Sequence, residues 1–82
     1  MPYILIYRDI YGKTQCVIQE SVNSVLIAAK DYIRSVNIYD EDLQKDINEC
    51  KTIFDLQELI ERYDLDEIQI LKPQGWNMEK LN

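Results

Sequence analysis

The stretch Tyr3–Arg8, which reads YILIYR, decides the fold of this chain. Its residues are mainly β-branched or aromatic, and both alternating faces are apolar until Arg8. Such a pattern is typical of a strand that is covered on both sides, so it predicts a strand at the centre of a sheet. We therefore expect further strands beside it and helices packed against the sheet.

The segment that follows predicts a β-hairpin over residues 3–19. Gly12 lies in a short polar turn, where a residue with positive φ is needed. Residues 14–19 then alternate, with Cys16 and Ile18 on one face of the predicted strand. This alternation is typical of a half-exposed strand.

Three helices are predicted after the hairpin. An apolar stripe at helical spacing predicts the first from about residue 22 to about residue 35, with Ser21 as its N-cap. Asp40 is the predicted cap of a second, short helix. Thr52 and Asp55 form a capping-box pattern at the start of a third.

The last predicted element is a strand over residues 67–72, which alternates again and ends at Pro73. The element order is β-β-α-α-α-β, so the sequence predicts an α+β fold with a small three-stranded sheet and helices packed mainly on one face. At 82 residues the chain has room for one core, and we predict a single domain over 1–73 and a C-terminal tail over 74–82. The direction of the last strand stays open, and three short helices can leave an apolar patch uncovered.

Negative charge is concentrated in the segment Asp40–Glu67, which holds eleven acidic and three basic residues, a net charge of −8, against −6 for the whole chain. A concentrated anionic surface repels nucleic acid and anionic membranes and attracts a basic partner. We therefore expect a basic protein partner, no direct binding of nucleic acid and no membrane association.

The sequence contains no pattern that indicates catalysis. There is no histidine, and two glycines are too few for a P-loop or a dinucleotide-binding loop. Acidic clusters start at Asp40 and at Asp64, but the sixth position of an EF-hand loop beginning at either is Lys45 or Gln69, where glycine is required. We therefore expect no enzymatic activity, no catalytic residues, no cofactor and no metal.

The two cysteines, Cys16 and Cys50, are predicted to be reduced, buried thiols. A disulfide between them is the alternative. Zinc is disfavoured because the chain has no C-x-x-C motif and no histidine. The longest apolar run is Tyr3–Tyr7, far short of a membrane span, and we expect no signal peptide, so the prediction for localisation is cytoplasmic.

The candidate site is an acidic ridge. Asp42, Asp46 and Glu49 are spaced i, i+4 and i+7, so they lie on one face of the second helix. The predicted partner-binding residues are Asp42, Asp46, Glu49, Glu61, Asp64, Asp66 and Glu67, with Tyr39 and Trp76 as aromatic anchors. The alternative for the acids is a solvated face that only keeps the protein soluble, and the alternative for Trp76 is a lid over the sheet.

These features favour a small acidic protein-binding module that acts by occluding a basic surface of another protein. Neighbouring carboxylates at helical spacing are about 6 Å apart, close to the spacing of phosphates on a nucleic-acid strand. A compact acidic chain of this kind suits a nucleic-acid mimic, made by a phage or a mobile element as an inhibitor of a host nucleic-acid enzyme. The alternative is a non-catalytic accessory or self-associating protein, such as a homodimer, that uses an uncovered apolar sheet face.

Overall fold

A computed structural model describes residues 2–72 and confirms the predicted α+β class and element order. The elements are β1 (Tyr3–Arg8), β2 (Thr14–Gln19), α1 (Val22–Val36), α2 (Glu41–Glu49), α3 (Ile53–Arg62) and β3 (Ile68–Leu71). The predicted boundary between a domain over 1–73 and a tail over 74–82 lies outside the described residues and stays a prediction.

The three strands form one antiparallel sheet in the order β2-β1-β3, so β1 is central as predicted. The direction of β3, which the sequence left open, is antiparallel to β1. Leu5 pairs with Val17 on one side and with Ile70 on the other. Because residues directly opposite each other share a face, this register directs these three side chains toward the helices.

A hydrogen-bonded turn closes the hairpin between β1 and β2. The Asp9 carboxylate accepts the backbone N–H groups of Tyr11 and Lys13, both at 2.9 Å, and the side-chain amide of Gln15 at 2.8 Å. The bond from Gln15, followed by the bond from the Lys13 backbone, lowers the pKa of Asp9. Gly12 has φ +80°, the left-handed region in which glycine carries no steric penalty.

Side-chain caps start each helix where the sequence predicts. Ser21 and Ser24 form a capping box at the start of α1, and the Asp40 carboxylate accepts the Leu43 N–H at 3.1 Å at the start of α2. Thr52 and Asp55 form the predicted capping box of α3. The carboxylate of Asp55 also accepts the Lys51 N–H at 3.0 Å, and this bond is the main reason that its pKa is lowered.

A single core joins the helices to one face of the sheet. Side-chain rings of Tyr7 and Tyr32 pack there with centroids 5.0 Å apart, and the Tyr32 hydroxyl donates to the Arg8 carbonyl oxygen at 2.5 Å. The buried side chains are Tyr3, Leu5, Val25, Ala29, Ile33, Leu43, Ile47, Cys50, Leu56, Leu59, Ile68 and Ile70. Each of the three helices contributes at least two of them, so all three pack an apolar face against this core.

The other face of the sheet carries no helix of the described chain. Ile4 and Ile6 lie there half-buried on β1, beside Leu71 on β3 and Ile18 on β2, whose side chain is 64% exposed. Cys16 is on the same face and is exposed, so the prediction that both cysteines are buried is wrong for Cys16. The strand alternation that pairs Cys16 with Ile6 turns it away from the helices. Both cysteines are free thiols, as expected.

Candidate protein-binding surface

An acidic groove runs between α2 and α3. It is a shallow cleft of about 160 Å³, and its charged lining consists of four carboxylates and one guanidinium. Asp46 and Glu49 line it from α2, whereas Asp55, Glu58 and Arg62 line it from α3. The groove therefore has a net negative charge and is open to solvent, which suits a positively charged ligand.

One polar cluster ties the two helices together at this groove. Asp46 accepts the Tyr63 hydroxyl at 2.5 Å and the Arg62 guanidinium at 3.3 Å through the same carboxylate oxygen, Oδ2. The Arg62 guanidinium also lies 5.8 Å from the centroid of the Tyr63 ring. Asp46 is thus partly neutralised and held in place, so it shapes the groove more than it offers free charge.

The nearby acidic side chains affect the pKa of Tyr63. Its pKa is raised to about 12, first by the hydrogen bond to Asp46, then by desolvation, and further by the charges of Asp46, Asp40 and Asp42. Each of these causes disfavours the tyrosinate anion. Asp40 and Asp42 therefore act on the same tyrosine as Asp46.

We predict that Asp46→Asn returns the pKa of Tyr63 toward the ordinary value of about 10, because the neutral amide no longer disfavours the phenolate. NMR titration of the Tyr63 ring measures this shift, and Asp42→Asn is the control, with a smaller effect. The Tyr63 hydroxyl ionises near pH 10 in the unfolded chain and near pH 12 in the folded chain, so its raised pKa contributes to the stability of the fold. This contribution to stability is therefore complete below pH 10 and lost as the pH rises to 12. An unchanged Tyr63 titration in Asp46→Asn would contradict the assignment.

The predicted site residues do not all lie on one surface. Asp42, Asp46 and Glu49 are on α2 as predicted, but only Asp46 and Glu49 line the acidic groove. Asp66 and Glu67 line a separate small depression at the end of the sheet, beside Arg8 and Thr14. The ridge predicted from 42 to 67 is therefore not one continuous surface.

Glu61 and Asp64 lie at the C-terminal end of α3. Asp64 adopts φ +53°, and its N–H donates to the Glu61 carbonyl oxygen at 3.2 Å, while the Leu65 N–H donates to the Ile60 carbonyl oxygen at 2.9 Å. This is the Schellman arrangement, in which glycine is the usual residue at the Asp64 position. An aspartate there has an unfavourable conformation and lies at the negative end of the helix dipole, so local stability does not explain its charge.

Of the two predicted aromatic anchors, the structure describes Tyr39 but not Trp76. The Tyr39 side chain is 94% exposed in the connection between α1 and α2, beside Asp40 and Asp42 in an open depression. Trp76 lies outside the described residues, so its assignment as an anchor stays a prediction. Sequence reasoning missed Phe54, whose side chain is 85% exposed in the first turn of α3.

Sequence reasoning also missed Asp55 and Glu58 as groove residues. The capping box alone accounts for Asp55 in the sequence, and the i, i+4 spacing of Glu58 from Arg62 is typical of a solvent-exposed helix pair. A wheel drawn for one helix cannot show which acids of the next helix lie opposite it. The available signal was that the second and third predicted helices both carry an excess of acids and are joined by only three residues, 50–52.

Two observations on residues 2–72 concern metal binding and the reactivity of the Cys50 thiol. No group of three histidine, cysteine, aspartate or glutamate side chains in that range is placed to hold a metal ion. Cys50 is buried beside the groove, and burial is the main reason that the pKa of its thiol is raised. The thiol is therefore kept protonated and is a poor nucleophile.

Comparison with known proteins gives no match: no family model fits the chain, no curated protein is similar to it, and no solved structure matches it. No helix within the described part of the chain is both long enough and apolar enough to span a bilayer.

Proposed function

We propose that this protein is a small acidic binding module that occupies a basic surface on another protein. The observation that carries the proposal is the acidic groove, where four carboxylates from two helices meet a single guanidinium. Within residues 2–72 the Arg62–Asp46 contact is the one ion pair of the acidic segment; the other, Arg34–Asp31, lies on α1. Lys45 and Lys51 form no ion pair with a described residue, although the charge of Lys51 contributes to the lowered pKa of Asp55.

The spacing of the acids along α2, of which Asp46 is also bound by Arg62 and Tyr63, supports a partner that normally binds phosphates. Asp42 and Glu49 are seven residues apart on α2, and Asp46 lies between them. Carboxylates three and four residues apart on a helix are separated by about 6 Å, which is near the phosphate spacing of a nucleic-acid strand. A basic cleft built for phosphates would therefore find charges of the same sign at similar separations.

The specific form of the proposal is a nucleic-acid mimic that inhibits by occlusion. The partner would be a basic nucleic-acid enzyme of a host, and the protein would be the product of a phage or another mobile element. Binding would block access to the basic cleft without chemistry. Tyr39 supplies an exposed aromatic side chain next to the acids, the type of residue that anchors many interfaces.

Capture of a partner should depend steeply on salt. The screening length falls from about 10 Å at 0.1 M salt to about 3 Å at 1 M. We therefore expect affinity for the captured partner to drop roughly tenfold to a thousandfold over this range, as electrostatic steering is lost. The measurement is affinity capture from a lysate followed by surface plasmon resonance with the purified partner, and release by heparin tests whether its basic surface is the one occupied. Affinity that holds or rises with salt would contradict the proposal.

A second function is favoured by one specific observation, the open apolar face of the sheet. Ile18 and Leu71 are exposed there beside Ile4 and Ile6, and an uncovered apolar face is a common docking surface. An accessory or self-associating role would use this face, and the acids would serve for solubility. Because apolar association holds or strengthens as salt rises, the same salt series distinguishes the two functions.

A further inference from the structure

An apolar groove lies between α3 and the end of β3. It has a volume of about 370 Å³, and its lining residues are Tyr3, Ile53, Phe54, Gln57, Ile70 and Lys72. Tyr3 and Ile70 are buried in the core, whereas the Phe54 side chain is 85% exposed. A large aromatic ring that is exposed beside an apolar groove indicates a surface that a further apolar side chain can cover.

The apolar groove also offers one polar contact. The Gln57 side-chain amide donates to the Ile70 carbonyl oxygen at 3.1 Å, and this bond holds the Gln57 side chain beside the groove. Its amide oxygen accepts no hydrogen bond from residues 2–72. A buried indole ring needs apolar contacts and an acceptor for its N–H group. The apolar groove therefore suits a tryptophan side chain.

The chain leaves the described structure at this apolar groove. Lys72, the last described residue, lines the groove, and ten residues follow it in the sequence, PQGWNMEKLN. Pro73 has no backbone N–H with which to extend the pairing of β3, and Gly75 accepts the backbone conformations that reverse the direction of a chain. Trp76 is four residues after Lys72, so their Cα atoms lie within about 14 Å of each other. Trp76 is therefore close enough to return to the groove.

We propose that residues 73–82 turn back after β3 and place the Trp76 side chain in the apolar groove of the same chain. The indole ring packs against the exposed ring of Phe54, and the indole N–H donates to the amide oxygen of Gln57. Trp76 is the single tryptophan of the chain, and this internal role replaces the partner anchor that the sequence predicts. The proposal does not depend on the acidic groove or on its partner, since neither Phe54 nor Gln57 lines that surface.

A double-mutant cycle in the full chain tests the contact between Trp76 and Phe54. Trp76→Ala should raise the equilibrium constant of unfolding roughly tenfold or more, because it removes the burial of a large apolar side chain. Phe54→Ala keeps a good helix former in α3, and its effect should fall short of additivity with Trp76→Ala by roughly twofold or more. Ile18→Ala is the control, because Ile18 is 64% exposed on the opposite face of the sheet, and its effect should add to that of Trp76→Ala. Urea denaturation followed by circular dichroism measures each variant.

The fluorescence of the single tryptophan gives a second readout. Trp76 should emit at a shorter wavelength than free tryptophan in water and should be shielded from acrylamide. Phe54→Ala should increase the quenching, whereas Ile18→Ala should leave it unchanged, and dilution should change neither result because the contact lies within one chain.

Four outcomes would overturn the proposal. Emission and quenching typical of an exposed indole would show that Trp76 is not buried. Additivity of Trp76→Ala with Phe54→Ala would show that the two side chains are not in contact. Coupling of Trp76 to Ile18 in place of Phe54 would assign the segment to the open face of the sheet. A shift to longer wavelength on dilution would show that Trp76 binds a second copy.

Discussion

Ile33→Ala is expected to lower the free energy of unfolding by about 2–5 kcal/mol. Ile33 lies in α1 with 0% of its side chain exposed, at the point where the helix packs into the core. Its truncation removes apolar contacts and leaves a cavity that the surrounding side chains fill only in part. A domain of this length has a total stability of about 4–12 kcal/mol. This single change should therefore remove a large fraction of it.

The same helix provides a matched control. Ile27 is also an isoleucine in the interior of α1, but its side chain is 61% exposed. Ile27→Ala should change the free energy of unfolding by less than about 0.5 kcal/mol. Urea denaturation followed by circular dichroism measures both variants. Similar losses for the two would show that α1 does not pack as described.

The sequence could predict most of the fold because local and global signals agree. The apolar faces of Tyr3–Arg8 require a central strand, and the Thr52–Asp55 capping box fixes the start of α3; both are confirmed. The direction of β3 could not be predicted, because it depends on the path of the chain after α3 and not on local pattern. The exposure of Cys16 was missed for a related reason: alternation shows which residues share a face, but not which face the helices cover.

Less of the candidate site could be predicted. Helical spacing placed Asp42, Asp46 and Glu49 on one face of α2, and the structure has these residues in that helix. The packing of α3 then decides what each can do: Asp46 is bound by Tyr63 and Arg62, whereas Glu49 is left at the groove beside the acids of α3. Such pairings between helices depend on tertiary structure, which a single-helix pattern does not contain.

Reversing two charges in the acidic groove is expected to abolish partner capture. Glu49→Lys with Glu58→Lys changes two exposed side chains that make no hydrogen bond or ion pair with the described residues and that come from different helices. Like charges brought together across an interface cost several kcal/mol, so affinity should fall by about a hundredfold or more. The fold should persist, because a lysine near the C-terminal end of α2 is favourable for the helix dipole.

The control carries the same change in net charge elsewhere on the molecule. Glu20→Lys with Asp31→Lys changes the residue before the N-cap of α1 and one in the middle of that helix; neither lines the groove, and the exposed Asp31–Arg34 pair is lost. A general effect of net charge would weaken both double variants equally. If the partner contacts the groove specifically, only the groove variant should bind it more weakly.

The most direct test of the acidic groove as a binding surface is therefore the affinity of both double variants for the captured partner at about 0.1 M salt, where screening is moderate. The groove variant should lose binding, and the control variant should bind within a few-fold of the natural protein. Equal binding by the two variants would contradict the assignment of this surface.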